Sequence, residues 1–219
     1  WTFCTDCGLS FDLPRNTGGE NNTHLKSYPR TMVAGNNVSH RCNSQSRSTL
    51  YLGYRFMTDG VTLRIPLDST ILDTSDLGPD GVIRIAALSA KEALLSAIFR
   101  GGVPDLDLDS NEIGGHHRII WSEREGRYVL EIFLFDTASG GAGFAQRIFN
   151  QLDWVVDRAI EMMEYECDCA TSCHRCLRNY QNRFEHSKLN RFWAAEILYY
   201  CREGVLPIFN LNRSEELIH

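Results

Sequence analysis

The stretch CDCATSCHRCLRNYQNRFEHSKLNR, residues 167–191, places four cysteines within ten positions and continues into a basic segment with aromatic residues. The cysteines follow the pattern C-x-C-x3-C-x2-C and are Cys167, Cys169, Cys173 and Cys176. Four thiolates complete the tetrahedral shell of a structural zinc ion, so the pattern predicts a Zn2+ site. An iron–sulfur cluster needs the same ligands, and a redox C-x-x-C pair would leave two of the cysteines unexplained. We favour zinc on ligand type and spacing.

A second and weaker set of metal-ligand residues lies near the start of the chain. Cys4-Thr5-Asp6-Cys7-Gly8 has the form of a zinc knuckle, and its expected partners are His40 and Cys42. The H-x-C spacing is tight, and His24 is an alternative ligand. A half-site that binds no metal is the competing interpretation. We expect the remaining cysteine in the second half of the chain, Cys201, to be a buried apolar side chain.

The bulk composition is that of a globular protein with its own core. Of the 219 residues, 43% are hydrophobic and 23% are charged, and the formal net charge is −6. This charge argues against coating of nucleic acid by bulk electrostatics, so any such contact has to be a local patch. Eight cysteines without a secretion signal indicate a reducing compartment, and we expect a cytoplasmic location. The chain begins with Trp1 instead of Met, and we expect it to be a piece of a longer polypeptide.

The hydrophobic pattern predicts an α+β (mixed α/β) fold whose largely antiparallel sheet is packed with helices. Residues 1–48 are loop-rich around the possible zinc knuckle, and residues 49–219 form the second, zinc-organised domain. Helical spacing of apolar residues predicts helices over 83–100, 144–166 and 188–202.

Strand patterns fill the rest of the second domain. Asp59-Gly60 predicts a hairpin turn between two strand-like runs, with one long strand kinked at Gly60 as the alternative. A second hairpin is predicted around Arg124–Gly126, and its second arm, RYVLEIFLFD, is apolar enough to be the central strand. The alternating run DLDLD at 105–109 favours a short edge strand.

The segments FDTASGGAGFA at 135–145 and CLRNYQN at 176–182, followed by His186, Leu189 and Arg191, carry a family resemblance. The chain resembles the C-terminal zinc-binding domain found beside bacterial superfamily-2 helicases, the MrfA zinc-binding or MZB domain. It is most similar to the form found in prokaryotic anti-phage systems such as DISARM and Druantia. Two departures are Ser139, where the family commonly has proline, and the H-x-C at His40 and Cys42. The resemblance implies a superfamily-2 helicase partner, in cis or in trans, and an accessory role in handling DNA.

Two groups of residues are candidates for nucleic-acid binding. The basic residues after the cluster suit a backbone grip; they are Arg175, Arg178, Arg183, Lys188 and Arg191. The glycine-rich loop before residue 144 presents backbone amides at a helix start, where a phosphate binds well; its candidates are Gly140, Gly141 and Gly143. For Tyr180, Asn182 and His186 we favour a polar network that braces the zinc loop.

Catalytic signatures are weak in this sequence. The P-loop pattern G-x-x-x-x-G-K-[ST] does not occur, so we expect ATP hydrolysis to belong to a partner or to another part of the polypeptide. Two alternatives to an accessory DNA-handling domain stay open. One is a metal-dependent nuclease or hydrolase that uses the DLDLD acids or His116-His117, and the other is a scaffold that only assembles subunits.

Overall fold

The computed structural model divides the chain into two compact units, Trp1–Arg55 and Phe56–His219. It describes residues 55–69, 72, 77–78, 80–104, 106, 108–109 and 111–209, together with the backbone of five short strands in the first unit. Those strands are β1 Thr2–Cys4, β2 Ser10–Phe11, β3 His24–Leu25, β4 Arg41–Cys42 and β5 Arg47–Thr49. Strand β1 pairs with β2 and β5, and β3 pairs with β4, all antiparallel.

The second unit is built on a three-stranded antiparallel sheet in the order β6-β8-β7. The strands are β6 Gly60–Pro66, β7 Ile113–Ser122 and β8 Arg127–Asp136. Strand β6 buries every second residue, as a strand with one face on a core does. The hairpin around Arg124–Gly126 and the central position of RYVLEIFLFD are confirmed. The fold is therefore α+β with an antiparallel sheet, as predicted.

Helix α1, Val82–Arg100, is the centre of the helical layer. It is buried along most of its length, as expected of a helix that is apolar nearly all round. It contacts β7 on one side and packs against α3, Leu152–Glu164, and α4, Arg191–Glu203. The alanines of α1 keep these helices close together. Gly102, with φ +75°, ends the helix in the left-handed conformation that favours glycine.

The predicted single helix over 144–166 is wrong, because the chain bends at Gln151 (φ −121°, ψ 21°). Helix α2, Phe144–Asn150, lies on β6 and β8, whereas α3 packs against α1 and α4. One straight helix cannot bury apolar residues against both the sheet and the helices. The bend lets each half turn its apolar side toward a different partner.

Two smaller expectations are also corrected. Gly60 is the first residue of β6 and not a hairpin turn: the amide of Asp136 donates to the carbonyl of Asp59, so the chain before Gly60 continues alongside β8. In the DLDLD run, the described residues Leu106, Leu108 and Asp109 form no strand. Leu106 is buried and its amide closes a turn onto Val103.

Helix α4 starts at Arg191, three residues later than predicted, because Asn190 caps it. The Asn190 Oδ1 accepts hydrogen bonds from the amides of Phe192 (3.0 Å) and Trp193 (3.3 Å). Residues His186–Lys188 form a short 3-10 turn before the cap. Cys201, expected to be buried, is exposed in the last turn of α4. None of the helices in the described part of the chain is long and apolar enough to cross a membrane.

Candidate metal centre

The loop between α3 and α4 brings the four predicted cysteines together. The Sγ atoms of Cys167, Cys169, Cys173 and Cys176 all lie within 4.8 Å of one another. Four of the Sγ–Sγ distances are 3.3 Å (Cys167–Cys169), 3.3 Å (Cys167–Cys173), 3.6 Å (Cys169–Cys176) and 3.8 Å (Cys173–Cys176). A tetrahedral zinc ion with Zn–S bonds of about 2.3 Å places its sulfurs about 3.8 Å apart. The geometry therefore fits zinc.

The Sγ–Sγ distances also show that the cysteines are not joined as disulfides. Bonded sulfurs lie about 2.05 Å apart, and all four cysteines are free thiols. Four protein ligands leave no coordination position for a substrate, which is the arrangement of structural sites and not of catalytic ones. When bound, zinc would neutralise thiolate charge and fix the path of the loop. Within the described residues, this cluster is the one group of three or more Cys, His, Asp or Glu side chains that could share a metal ion.

The thiols of the cluster titrate differently because their surroundings differ. Burial raises the pKa of Cys176 to about 11, and burial together with the Cys167 thiol raises the pKa of Cys169. Burial also acts on Cys173, but hydrogen bonds from the Cys167 thiol and from the backbone at Arg175 and Cys176 prevail and lower its pKa to about 6. The Arg175 amide donates to the Cys173 Sγ at 3.3 Å. A metal ion has to displace the protons of the buried thiols, so its affinity falls as the pH falls.

Helix α1 holds the cluster loop through the loop's carbonyl groups. The Ser96 hydroxyl donates to the carbonyl of Cys176 at 2.7 Å. The Arg100 guanidinium donates to the carbonyls of His174 (2.7 Å) and Arg178 (3.2 Å). The sequence gives no local sign of these partners, because Arg100 and His174 are 74 positions apart.

Helix α4 holds the same loop from the other side through Arg191, which is 3% exposed. Its Nε donates to the carbonyl of Cys169 at 2.8 Å, its Nη1 donates to the carbonyl of Met163, and its amide donates to Thr171. The predicted nucleic-acid contact is wrong for Arg191, because its guanidinium is buried and used inside the chain. Arg191 instead connects the end of α3, the cluster loop and the start of α4.

A polar network under residues 179–188 ties this segment to α1. The Asn182 Nδ2 donates to the Glu92 Oε2 at 2.7 Å, and the Asn179 Nδ2 donates to the same oxygen at 3.1 Å. The His186 Nε2 lies 2.9 Å from the Asn182 Oδ1. Lys91 completes the surroundings of Glu92 with an ion pair at 2.6 Å. The predicted bracing role is confirmed for Asn182 and His186, but Tyr180 is 75% exposed and points its ring elsewhere.

The other predicted basic contacts lie on the surface around the cluster. Arg175 pairs with Asp168 at 2.5 Å, and Lys188 pairs with Asp80 at 2.7 Å, both in exposed positions. Arg178 is half-buried and donates from Nε to the Ser172 hydroxyl at 2.9 Å. Arg183 is exposed and lies against two aromatic rings.

The glycine-rich loop does not offer its amides to an external phosphate. The carboxylate of Asp136, which is fully buried, accepts hydrogen bonds from the amides of Ala142 (2.6 Å), Phe144 (3.2 Å) and Ala145 (2.7 Å). This side chain takes the position of the expected anion at the start of α2. Sequence reasoning missed Asp136, although an aspartate just before a small-residue loop and a helix start is the signal.

The three predicted glycine contacts have their own places in that loop. The amides of Gly140 and Gly141 donate to the carbonyls of Met57 and Ala138. At Gly141, with φ +80°, a Cβ atom would lie 2.3 Å from the Asp59 Oδ2, so the glycine permits a close approach to Asp59, which directly precedes β6. Gly143 has φ +79° and precedes α2. A DNA contact by these glycines stays a prediction. The loop amides that suggested it, however, donate to groups within the chain.

The predicted second metal set falls largely outside the described residues. Cys7 and His40 lie outside them, and Cys4 and Cys42 are described only through the backbone of β1 and β4. In that backbone, His24 is the antiparallel partner of Cys42. The second site therefore stays a prediction.

Comparisons with known proteins agree with this geometry. Residues 95–177 match the family model described as the MZB, or MrfA Zn-binding, domain, a stretch that includes all four cysteines of the cluster. The Druantia protein DruE of Escherichia coli strain UMEA 4076-1 is 31% identical over 210 residues, which cover 94% of this chain and 11% of DruE. This chain thus corresponds to a small part of that relative.

Two further proteins are similar over part of the chain. An uncharacterized protein of Methanocaldococcus jannaschii, MJ1572.1, is 25% identical over 91 residues, 42% of this chain and 80% of that protein. The crystal structure of the DUF1998 helicase MrfA bound to DNA has a TM-score of 0.43 and 17% identity, covering 61% of this chain and 16% of MrfA. The family match and the cysteine geometry agree: residues 95–177 are similar to the MZB (MrfA Zn-binding) domain, and the four clustered cysteines, which could hold a metal ion, lie inside the matched stretch.

Proposed function

We propose that the chain is a non-catalytic, zinc-stabilised accessory domain of a helicase-linked DNA-processing system that acts in anti-phage defence. Its contribution is to bind DNA or a partner, while a superfamily-2 helicase in cis or in trans hydrolyses ATP. The observation that carries the proposal is the cluster of four cysteine sulfurs, which could hold a metal ion and would leave it no open coordination position for chemistry.

Two further observations support DNA handling in a defence context. The loop that the cysteines organise presents three exposed cations, Arg175, Arg183 and Lys188, on one short segment of an otherwise acidic chain. Local cations of this kind bind the phosphate backbone without reading sequence. The similarity to the Druantia protein DruE covers nearly the whole chain and supports the defence setting.

The nuclease alternative has less support from the residues it would need. His116 and His117 are neighbours on β7, and His117 is half-buried against α1, where burial, Lys91, His116 and Arg84 lower its pKa to about 4. Neighbouring strand residues point to opposite faces of a sheet, so the two imidazoles do not face one metal ion. DNA cleavage that needs a divalent cation and is lost in Asp107→Asn or His117→Gln would establish this alternative.

The experiment that tests the proposal is a DNA-binding titration of the full chain at low salt. The double variant Arg175→Glu/Lys188→Glu should weaken binding at least about tenfold, because each cation contributes counterion release. The matched control is Arg147→Glu/Arg127→Glu, which changes the net charge equally at exposed arginines of α2 and β8. Equal losses in the two variants, or no DNA binding by the wild type, would contradict the proposal.

The scaffold alternative predicts a different outcome. In that case the charge-reversal variants bind DNA as the wild type does, and Cys176→Ser separates the chain from its helicase partner. Co-purification of the helicase with wild type and with Cys176→Ser, read beside the DNA titration, distinguishes the two functions.

A further inference from the structure

Two large aromatic side chains beside the zinc loop are exposed to solvent. Tyr180 is 75% exposed and Phe184 is 83% exposed. They are four positions apart, and both belong to the segment that follows the last cysteine of the cluster. Exposed aromatic residues that lie together, rather than singly, mark a binding surface.

Arg183 connects the two rings. Its Cζ atom lies 4.4 Å from the centroid of the Tyr180 ring and 4.4 Å from the centroid of the Phe184 ring. Its Nη1 also donates to the carbonyl of Tyr180 at 3.2 Å. In the described part of the chain, Arg183 forms no ion pair with a carboxylate. The three side chains therefore present flat π surfaces with one uncompensated positive charge between them.

The backbone that carries this trio is fixed from below. Asn182, which lies between Tyr180 and Phe184 in sequence, is 4% exposed and donates to Glu92 and to the carbonyl of Leu177. The amide of Asn179 donates to the Asn182 Oδ1, and the amide of Glu185 donates to the Asn182 carbonyl. The rings thus stand on a hydrogen-bonded base that α1 holds, and they bind without first ordering a loop.

The chemistry of the trio favours an unpaired nucleobase over a protein partner. Bases stack on aromatic rings and guanidinium planes whatever their sequence, and a cation beside the ring holds the adjacent phosphate. In a duplex the base faces are covered by their neighbours, so stacking of this kind requires a single strand. The segment 170–195 contains five Arg or Lys residues and one acid, Glu185, which suits a polyanion.

We propose that Tyr180, Arg183 and Phe184 form a stacking platform for single-stranded DNA. This inference rests on the proposed DNA-binding function and specifies its ligand. The platform grips one or two unpaired bases, while Arg175 and Lys188 contact the backbone. A helicase-linked domain with this surface holds the unwound strand and not the duplex.

The test compares the affinity of the full chain for an oligothymidine strand, for a mixed-sequence duplex of equal length and for the matching RNA strand. Tyr180→Ala and Phe184→Ala should each weaken single-strand DNA binding about tenfold and leave duplex binding unchanged. The matched control is Phe149→Ala, another exposed aromatic residue, on α2, which should leave all three affinities unchanged. Arg183→Gln should lower the salt slope of single-strand binding by about 0.7, whereas the alanine variants should not.

A direct reading of stacking comes from Phe184→Trp. Its added fluorescence should be quenched by oligothymidine and not by duplex DNA, because only a stacked base lies against the indole. If the chain binds DNA but the alanine variants bind the single strand as the wild type does, the platform is overturned and the proposed function stands. Tighter binding of RNA than of DNA, or equal losses for strand and duplex, also overturns it. Absence of binding to either form of DNA overturns both proposals.

Discussion

Asn182 donates a hydrogen bond of 2.7 Å to the buried carboxylate of Glu92, although the two residues are 90 positions apart in the chain. Glu92 lies on α1, and Asn182 lies in the segment that follows the cysteine cluster. Their contact fixes the segment that carries the exposed cations and rings to the central helix. The position of this segment therefore depends on the buried hydrogen bond between Asn182 and Glu92 as well as on the cysteine cluster.

We predict that Asn182→Ala lowers the free energy of unfolding by about 2–4 kcal/mol, because the Glu92 carboxylate loses a donor while it stays buried. Asn182→Asp should cost more, since it places a second carboxylate beside the first. Urea denaturation of both variants measures the change. The control is Gln181→Ala, whose exposed side chain bonds only to Asn111 among described residues and should change stability by less than about 0.5 kcal/mol. Equal effects at 181 and 182 would contradict the bracing role.

We predict that Cys176→Ser destabilises the chain by several kcal/mol, because structural zinc in small domains contributes on the order of 10 kcal/mol to folding. Cys201→Ser is the matched control, since Cys201 is an exposed thiol outside the cluster. Thermal unfolding of the wild type and of the two variants, with and without a strong chelator, measures these effects. The chelator should lower the Tm of wild type and of Cys201→Ser, and it should change Cys176→Ser much less. Equal Tm values in all three proteins would contradict a folding role for the metal.

The sequence pattern predicted the parts of this molecule that depend on local order. Helix α1, the β7–β8 hairpin and the cysteine cluster all follow from spacing within one segment. The basic run around Arg191 predicts a surface position for its side chain, yet the guanidinium donates to carbonyl groups 22 and 28 positions away. Hydrogen-bond partners this far apart in the chain leave no periodic pattern in the sequence. The bend at Gln151 was missed for a related reason: both α2 and α3 are amphipathic, and only the sheet and helix layers require them to separate.

Asp136 provides a test of the helix-start arrangement. We predict that Asp136→Ala lowers the free energy of unfolding by at least about 3 kcal/mol, because three amide groups lose their acceptor in a buried position. Asp136→Asn keeps one oxygen acceptor and should cost less. The control Asp153→Ala removes an exposed carboxylate of α3 and should change stability by less than about 1 kcal/mol. In denaturant titrations the loss of stability should be largest for Asp136→Ala, smaller for Asp136→Asn and smallest for Asp153→Ala. An Asp136→Ala variant as stable as the wild type would contradict this role of Asp136.

The lowered pKa of His117 predicts that the stability of the protein depends on pH. Its folded-state pKa, lowered to about 4 by burial and by Lys91, His116 and Arg84, lies below the ordinary value of 6.5. Between these values the unfolded chain binds a proton that the folded chain does not, so stability falls as the pH falls from 6.5 toward 4. His117→Gln should make the loss between pH 7 and pH 5 smaller by about 1 kcal/mol, allowing for partial exposure of the ring.

Denaturant titrations at the two pH values, with excess zinc present, measure this difference. His116→Gln is the control and should give a smaller change, because that side chain is exposed on the other face of the sheet. If the stability of His117→Gln depends on pH as the wild type's does, His117 does not cause the loss of stability at low pH.

The central claim is that one metal ion is held by four cysteine sulfurs between α3 and α4. Zinc content and X-ray absorption at the zinc edge, measured on the Cys4→Ser/Cys7→Ser variant, test it most directly, because that variant keeps the cluster and removes the predicted N-terminal knuckle. We predict one zinc ion per chain with four sulfur neighbours at about 2.3 Å. A folded variant that contains iron, that contains no metal, or whose cluster sulfurs are joined as disulfides would contradict the claim.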